Sequence, residues 1–383
     1  MRFFEEHGLK SRKEIIFVLA MAAIIIFIRK PDAFTNPQFF AEDGKIVFLQ
    51  QFKQGFTAIF NVYAGYLLLV SRIVGLLSDL FFPYSAAPYV YNYSCFIITM
   101  LVIANIYSRR FDYEPKWLLA LSIVMVPHFG YEVGVCNVNL QWVLCILLVT
   151  NYLKEQPSER YGNVTFQVTS DVIQMVLVGL TGPFIIFMLP LYLWRFLKEK
   201  NRYRSVILCT AIAVSSVQAA CILTSKDAFP SAAAGAEAGW VYSLDVIGVK
   251  LFGNLFLPGK LTEKIYGWNH YILFCLFVSV IGLIFYKAVR SMKNVHAVTV
   301  LVGLSLFILI STLFKSRYIM TAFIDPWGGA GPRYFYPQYV LITWALLLCL
   351  GKGKMWTDYA IKILLAAICI ASLSSYRAPS MVD

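Results

Sequence analysis

The chain has 383 residues, 59% of them hydrophobic and only 14% charged, with a formal net charge of +12. A soluble domain carries about 25% charge, so the composition excludes a water-soluble globular enzyme and predicts an all-α integral membrane protein. The basic excess does not point to nucleic acid, because Lys and Arg cluster between hydrophobic runs as the positive-inside rule requires.

Arg2, Lys10, Arg12 and Lys13 precede a first apolar run at 15–28. No small-residue cleavage site follows, so the run reads as an uncleaved signal anchor with its N-terminus in the cytoplasm. Arg29 and Lys30 are expected to snorkel at its outer end. The chain then emerges outside with Asn36-Pro37-Gln38-Phe39-Phe40-Ala41-Glu42-Asp43-Gly44. Two adjacent carboxylates sit at this exit, and Gly44 would let the backbone turn behind them. An amphipathic run at 45–54 reads as a helix lying in the interface.

Residues 66–82 are apolar but carry Arg72 and Asp79. Were this run to span, Arg109 and Arg110 would lie outside, and each later basic cluster would fall on the wrong side. Taken as a second interfacial or re-entrant helix, it restores the parity. The spans are then 86–107, 117–126, 140–153, 172–180, 184–197, 205–223, 271–286, 297–314, 339–350 and 363–373, about eleven with the first. The pair around Thr181-Gly182-Pro183 is short and interrupted, which suits a cavity. One polytopic domain, 1–383, is expected, with an external acidic loop at 29–85, a long external loop at 224–268 and an external Arg loop at 315–337. Within the long loop, 231–239 reads as flexible and 241–257 as interfacial. Eight scattered Cys without CxxC spacing read as small hydrophobes, not as a disulfide set or metal site.

Three external constellations carry chemistry. The first is Glu42 and Asp43 with Tyr63-Ala64-Gly65-Tyr66 and Arg72. The second is Glu132, Asn137, Asn139, Gln141 and Trp142. The third is Arg333 and Tyr334, with Lys315 and Arg317 nearby. They supply carboxylates for proton transfer, amides and aromatics for a sugar, and cations for a phosphate. Arg333 suits a phosphate because its planar fork binds bidentately. Plainer roles stay open: Asn137 and Asn139 as helix caps, Trp142 and the tyrosines in an aromatic belt, Lys315 and Arg317 on lipid head groups, His128 in packing. The Asn163-Val164-Thr165 sequon falls on the cytoplasmic side. Beside Gly44, Asp43 is the favoured general base, with Glu42 orienting the acceptor, the loop or an ion; the reverse assignment also stands.

On Phe40-Ala41-Glu42-Asp43-Gly44, Tyr63-Ala64-Gly65-Tyr66 with Arg72, and Asn137-Val138-Asn139-Leu140-Gln141-Trp142, the chain resembles the GT-C superfamily of membrane glycosyltransferases. It looks most like bacterial members such as the serotype-converting O-antigen glucosyltransferases. The resemblance implies a hexosyltransferase of the inner membrane with a periplasmic active site. It would move a glucose-like monosaccharide from a polyprenyl phosphate carrier to a cell-surface glycan, such as lipopolysaccharide. Donor, acceptor and membrane lipids are the implied partners. No cofactor is required, and a divalent cation beside Glu42 and Asp43 is compatible. A flippase for lipid-linked sugar, or a surface-polysaccharide polymerase or ligase, is the alternative.

Overall fold

The computed structural model describes residues 2–40, 42–127, 129–225, 244–291, 294–319, 332–351 and 355–375. Those residues are helical, with two isolated bridges in place of any strand. Among the described residues, five helices are long and apolar enough to cross a membrane: Tyr84–Asn105, Arg202–Thr224, Tyr271–Arg290, Val295–Leu313 and Trp356–Ser374. Each buries half or less of its apolar stretch, which leaves apolar surface that suits a lipid solvent. The chain groups into two compact units. One holds the residues up to 121 and 132–225; the other holds 122–131 and the residues from 244 to 375.

The first unit contains α1 (Arg2–Arg29), α2 (Asp32–Thr35), a π-helical segment (Asp43–Phe48), α3 (Leu49–Gln54), a 3-10 turn (Gly55–Phe60), α4 (Leu69–Phe81) and α5 (Ala87–Asn105). After α6 (Lys116–Met125) come α7 (Leu140–Leu153), α8 (Val164–Gly179), α9 (Phe184–Lys198) and α10 (Arg202–Thr224). Helix α7 is apolar on all sides and almost wholly buried, so it forms the core of this unit. It packs on α5, α8 and α9, while α1 and α4 pack on α5.

Helix α4 is turned inside out relative to a soluble helix. Ser71, Arg72, Gly75 and Ser78 face inward, while Leu80 and Phe81 are 63% and 71% exposed. At 1.5 Å per residue its 13 residues reach about 20 Å, short of a hydrocarbon core of about 30 Å. Both facts suit a helix lying along the bilayer with its apolar face in lipid. Its entry is pinned by a short pairing of 67–69 with 180–182: Gly182 N–H donates to the Leu67 carbonyl at 2.9 Å, and Leu69 N–H to that of Leu180 at 3.0 Å. The buried Gln218 amide closes the junction. Its oxygen accepts from Leu67 N–H at 3.0 Å, and its nitrogen donates to the carbonyls of Gly179 and Gly182, each at 3.1 Å.

Several basic residues assigned to the cytoplasm meet in a buried polar network. Arg110 pairs with Asp171 at 2.8 Å, and the Tyr203 hydroxyl donates to the same carboxylate at 2.7 Å. Lys154 donates to the side-chain oxygens of Asn105 and Asn151 at 2.6 and 2.7 Å. Burial pushes the Lys154 ammonium down to about 8. Helix α8 starts at Val164, eight residues before its expected start, because the sequon residue Asn163 caps it, accepting from Phe166 N–H at 2.9 Å. Arg29 and Lys30 do not snorkel. They are 1% and 2% exposed, and Lys30 lies over the Phe40 ring at 4.8 Å.

The second unit contains a π-helical segment (Ile247–Gly253), α11 (Asn254–Phe256), α12 (Gly259–Trp268), α13 (His270–Ser291) and α14 (Val295–Ile319). A 3-10 turn (Pro332–Phe335), α15 (Tyr336–Cys349) and α16 (Trp356–Ser374) follow. Every residue of α15 is buried. Its Tyr336 hydroxyl donates to the Ile123 carbonyl, its Trp344 indole to Ser122 Oγ and its Tyr339 hydroxyl to the Lys250 carbonyl. The run 241–257, expected at the interface, is buried from Gly248 to Gly253 and again at Leu255 and Phe256. Gly248 permits this: a Cβ there would meet Phe274 N at 2.9 Å. The expected loop 315–337 is shorter, since α14 runs on to Ile319 and a 3-10 turn starts at Pro332. Residues 231–239, His128, residues 320–331 and the side chains of Lys315 and Arg317 lie outside the described residues.

Gln218→Leu keeps the volume but strands Leu67 N–H and the carbonyls of Gly179 and Gly182. Each buried group left unpaired costs about 1–3 kcal/mol. The variant should lose roughly 3 kcal/mol or more, measured as chemical denaturation in detergent. An unchanged midpoint would show that the α4 entry is held by other contacts.

Candidate functional site

The acidic pair does not lie on an extended loop. Glu42 has helical backbone angles (φ −73°, ψ −12°), and Asp43 begins the π-helical segment. Gly44 is not a left-handed hinge either. Its missing side chain makes room for Phe39, whose Cβ would lie 3.1 Å from an added Cβ.

Asp43 is fully buried. Asn137 N–H donates to its Oδ2 at 3.0 Å and Val138 N–H to its Oδ1 at 2.8 Å. Burial pushes its carboxyl up to about 6, against the two backbone donors and the Cys136 thiol, which favour the charged form; neighbouring Glu42 pushes it further up. Lys30 is held down by burial and up by the charges around it, Asp32 and Asp43 among them; burial wins. The carboxylate thus fastens the first constellation to the second. Just upstream, Val135 has φ +59°, a left-handed conformation that a β-branched residue adopts only under strain. Asp43 holds the next residues in place.

The second constellation is a buried polar knot. Asn137 Nδ2 donates to the Ser71 carbonyl at 3.0 Å, and Ser71 Oγ returns a bond to the Asn137 carbonyl at 2.6 Å. Asn139 occupies the cap position of α7, but its side chain makes no cap bond; its amide donates to the Glu132 carbonyl at 2.6 Å. Neither asparagine side chain acts as a helix cap. Glu132 is 7% exposed. Trp142 is not part of an aromatic belt: it is buried, edge-on to Phe184 at 5.3 Å. Gln141 packs against Gly182, where φ is +99° and an added Cβ would collide with the amide.

Tyr63-Ala64-Gly65-Tyr66 is a two-residue hairpin turn. Ala64 and Gly65 both have positive φ (51° and 91°), and Tyr63 and Tyr66 exchange backbone bonds at 3.0 and 3.1 Å. The turn aims two hydroxyls. That of Tyr63 donates to Glu42 Oε1 at 3.2 Å, and that of Tyr66 accepts from Gln141 Nε2 at 3.3 Å. Arg72 lies on the inward face of α4 and is 1% exposed. Its Nη2 donates to Gln50 Oε1 at 2.6 Å, while Nε and Nη1 have no partner among the described residues. Burial pushes the guanidinium down, yet an Arg stays charged in this setting. A half-satisfied buried cation suits an anion.

The first two constellations therefore form one site in the first unit. Arg333 and Tyr334 lie in the second, both half-buried, with the guanidinium over the Tyr334 ring at 5.3 Å. Sequence reasoning missed Ser71, Gln50 and Cys136. Ser71, Gly75 and Ser78 are small residues at helical spacing beside Arg72, which is the signal that could have exposed the inward face. Both Asp43 oxygens accept backbone bonds, and among the described residues no group of three or more His, Cys, Asp or Glu side chains is placed to hold a metal ion. Comparison with family models, curated proteins and solved structures gives no match.

The Asp43 pKa yields a signed expectation. It is raised above its ordinary value of 3.8, so the stability this group contributes is full below that value and is lost as pH rises through about 6. Asp43→Asn has no such titration. The stability gap between wild type and Asp43→Asn, from thermal melts in detergent, should shrink from about pH 4 to about pH 7. A gap that is constant or widens would contradict the assignment.

Proposed function

We propose that this is a GT-C-type glycosyltransferase of a bacterial inner membrane. It moves a glucose-like sugar from a polyprenyl phosphate to a surface glycan on the external face, with about eleven spans and a cytoplasmic N-terminus. The observation that carries the reading is the buried and half-satisfied Arg72 on an inside-out α4, in the same unit as Glu42, which Tyr63 holds. A base and a phosphate-compatible cation share a polar site beside a lipid-facing helix.

Glu42 would take the proton of an acceptor hydroxyl, which needs a base within hydrogen-bond reach. The hydroxyl oxygen then bonds to the anomeric carbon. The bond from that carbon to the phosphate oxygen breaks, and the phosphate leaves on its lipid with the electron pair. Arg72 would stabilise the charge that develops there. This assigns the base to Glu42, the reverse of the preference drawn from Gly44. The reason is burial: Asp43 is fully buried with each oxygen accepting a backbone bond, while Glu42 is less deeply buried and accepts a side-chain hydroxyl from Tyr63. In this reading Asp43 positions, and Gln141, Asn137, Asn139, Glu132, Trp142 and Tyr66 build the wall behind the acceptor. Arg333 and Tyr334 are a second candidate for the phosphate.

Purified protein supplied with polyprenyl phosphate glucose and a glycan acceptor tests this. Glu42→Gln should lose roughly 100-fold or more in turnover while melting like wild type. Wild-type turnover in Glu42→Gln, with a folded and inactive Asp43→Asn, would return the base to Asp43. Full activity in both variants would move the flippase reading ahead.

A further inference from the structure

The second unit carries a groove that the sugar-transfer reading does not use. It has a volume of about 630 Å³ and an almost wholly apolar lining. Leu276, Gly282 and Tyr286 of α13 form one wall, Trp356 and Ile363 of α16 the other, with Phe252 also lining it. Its length along α13, from Leu276 to Tyr286, is ten residues, or about 15 Å at 1.5 Å per residue. That is half of a hydrocarbon core of about 30 Å, the depth of a single leaflet. Both helices are among those apolar enough to cross a membrane.

The two ends differ. One is apolar. The other carries Tyr286 and Trp356, 45% and 67% exposed, the residue types that sit at headgroup level. Beyond them stands Arg290, exposed, donating through Nη1 to the Tyr286 hydroxyl at 2.6 Å. Lys287, one turn away, is neutralised by Asp358 at 2.6 Å, so of these two α13 cations Arg290 is the one left to answer an anion at this mouth. An apolar slot one leaflet deep, with a cation at its aromatic rim, complements a chain with a charged head.

We propose that this groove holds one acyl chain of an anionic glycerophospholipid, with Arg290 on its phosphate. Lipid at this position would fill the space between α13 and α16. The inference is independent of the sugar-transfer reading, because the groove shares no residue with that site.

Native mass spectrometry of the full-length protein in detergent tests it, titrating phosphatidylglycerol and phosphatidylcholine of matched chains. Wild type should retain one phosphatidylglycerol per chain, about fivefold tighter than phosphatidylcholine. Gly282→Leu should remove that bound lipid, since a Cβ at Gly282 meets no atom within 4 Å and the added side chain projects into open space. Arg290→Gln should leave a bound lipid but abolish the preference for phosphatidylglycerol; it decides the matter should Gly282→Leu fail to fold. Equal binding of the two lipids by wild type, or wild-type lipid retention by a folded Gly282→Leu, would overturn the proposal. So would a polyprenyl phosphate that displaces phosphatidylglycerol from the groove.

Discussion

Two backbone N–H groups, those of Asn137 and Val138, share the buried carboxylate of Asp43, and the candidate site is built around that clasp. The residues it joins are far apart in sequence: one is the exit from α1, the other the start of α7. A buried carboxylate is costly unless its oxygens are satisfied. Here both are, so the clasp repays part of the desolvation that still lifts Asp43 to about 6. The strained backbone at Val135 persists beside it because the following residues are fixed on several sides at once.

From the clasp outward, each polar side chain has a defined direction. The hairpin turn at Ala64 and Gly65 sends Tyr63 to Glu42 and Tyr66 to Gln141. Ser71 ties α4 to Asn137, and that bond sets the roll of α4 about its own axis. With Ser71 inward, Arg72 and Gly75 follow inward, and Leu80 and Phe81 must face out. A helix that buries its polar face and shows its apolar one is stable only where the solvent is apolar. The same bond that shapes the site therefore fixes which surface meets lipid.

The sequence made the membrane class and most helix positions legible, because long apolar runs need no tertiary context to be read. Helix α7 was read as 140–153 and is Leu140–Leu153. Charge parity led to the interfacial or re-entrant reading of 66–82, where the structure has the 13-residue α4. Helix starts were harder: α8 begins at the Asn163 cap, amid polar residues that hydropathy ignores. The burial of Ile247–Gly253 was invisible because Gly248 acts through what it lacks. At the site, the residues of the first two constellations were readable by type, but their pairing was not. No local pattern tells that Asp43 meets Asn137 and Val138, since that depends on the packing of α4 and α5 between them. For the same reason neighbouring carboxylates that look equivalent in sequence differ in burial and in the groups that bond to them.

Amide hydrogen exchange at Asn137 and Val138 tests the clasp most directly. Both N–H groups should exchange far more slowly than an open loop, and Asp43→Ala should release them while the amides of α7 stay protected. Loop-like exchange at both positions in the wild-type protein, or unchanged protection in Asp43→Ala, would contradict the account.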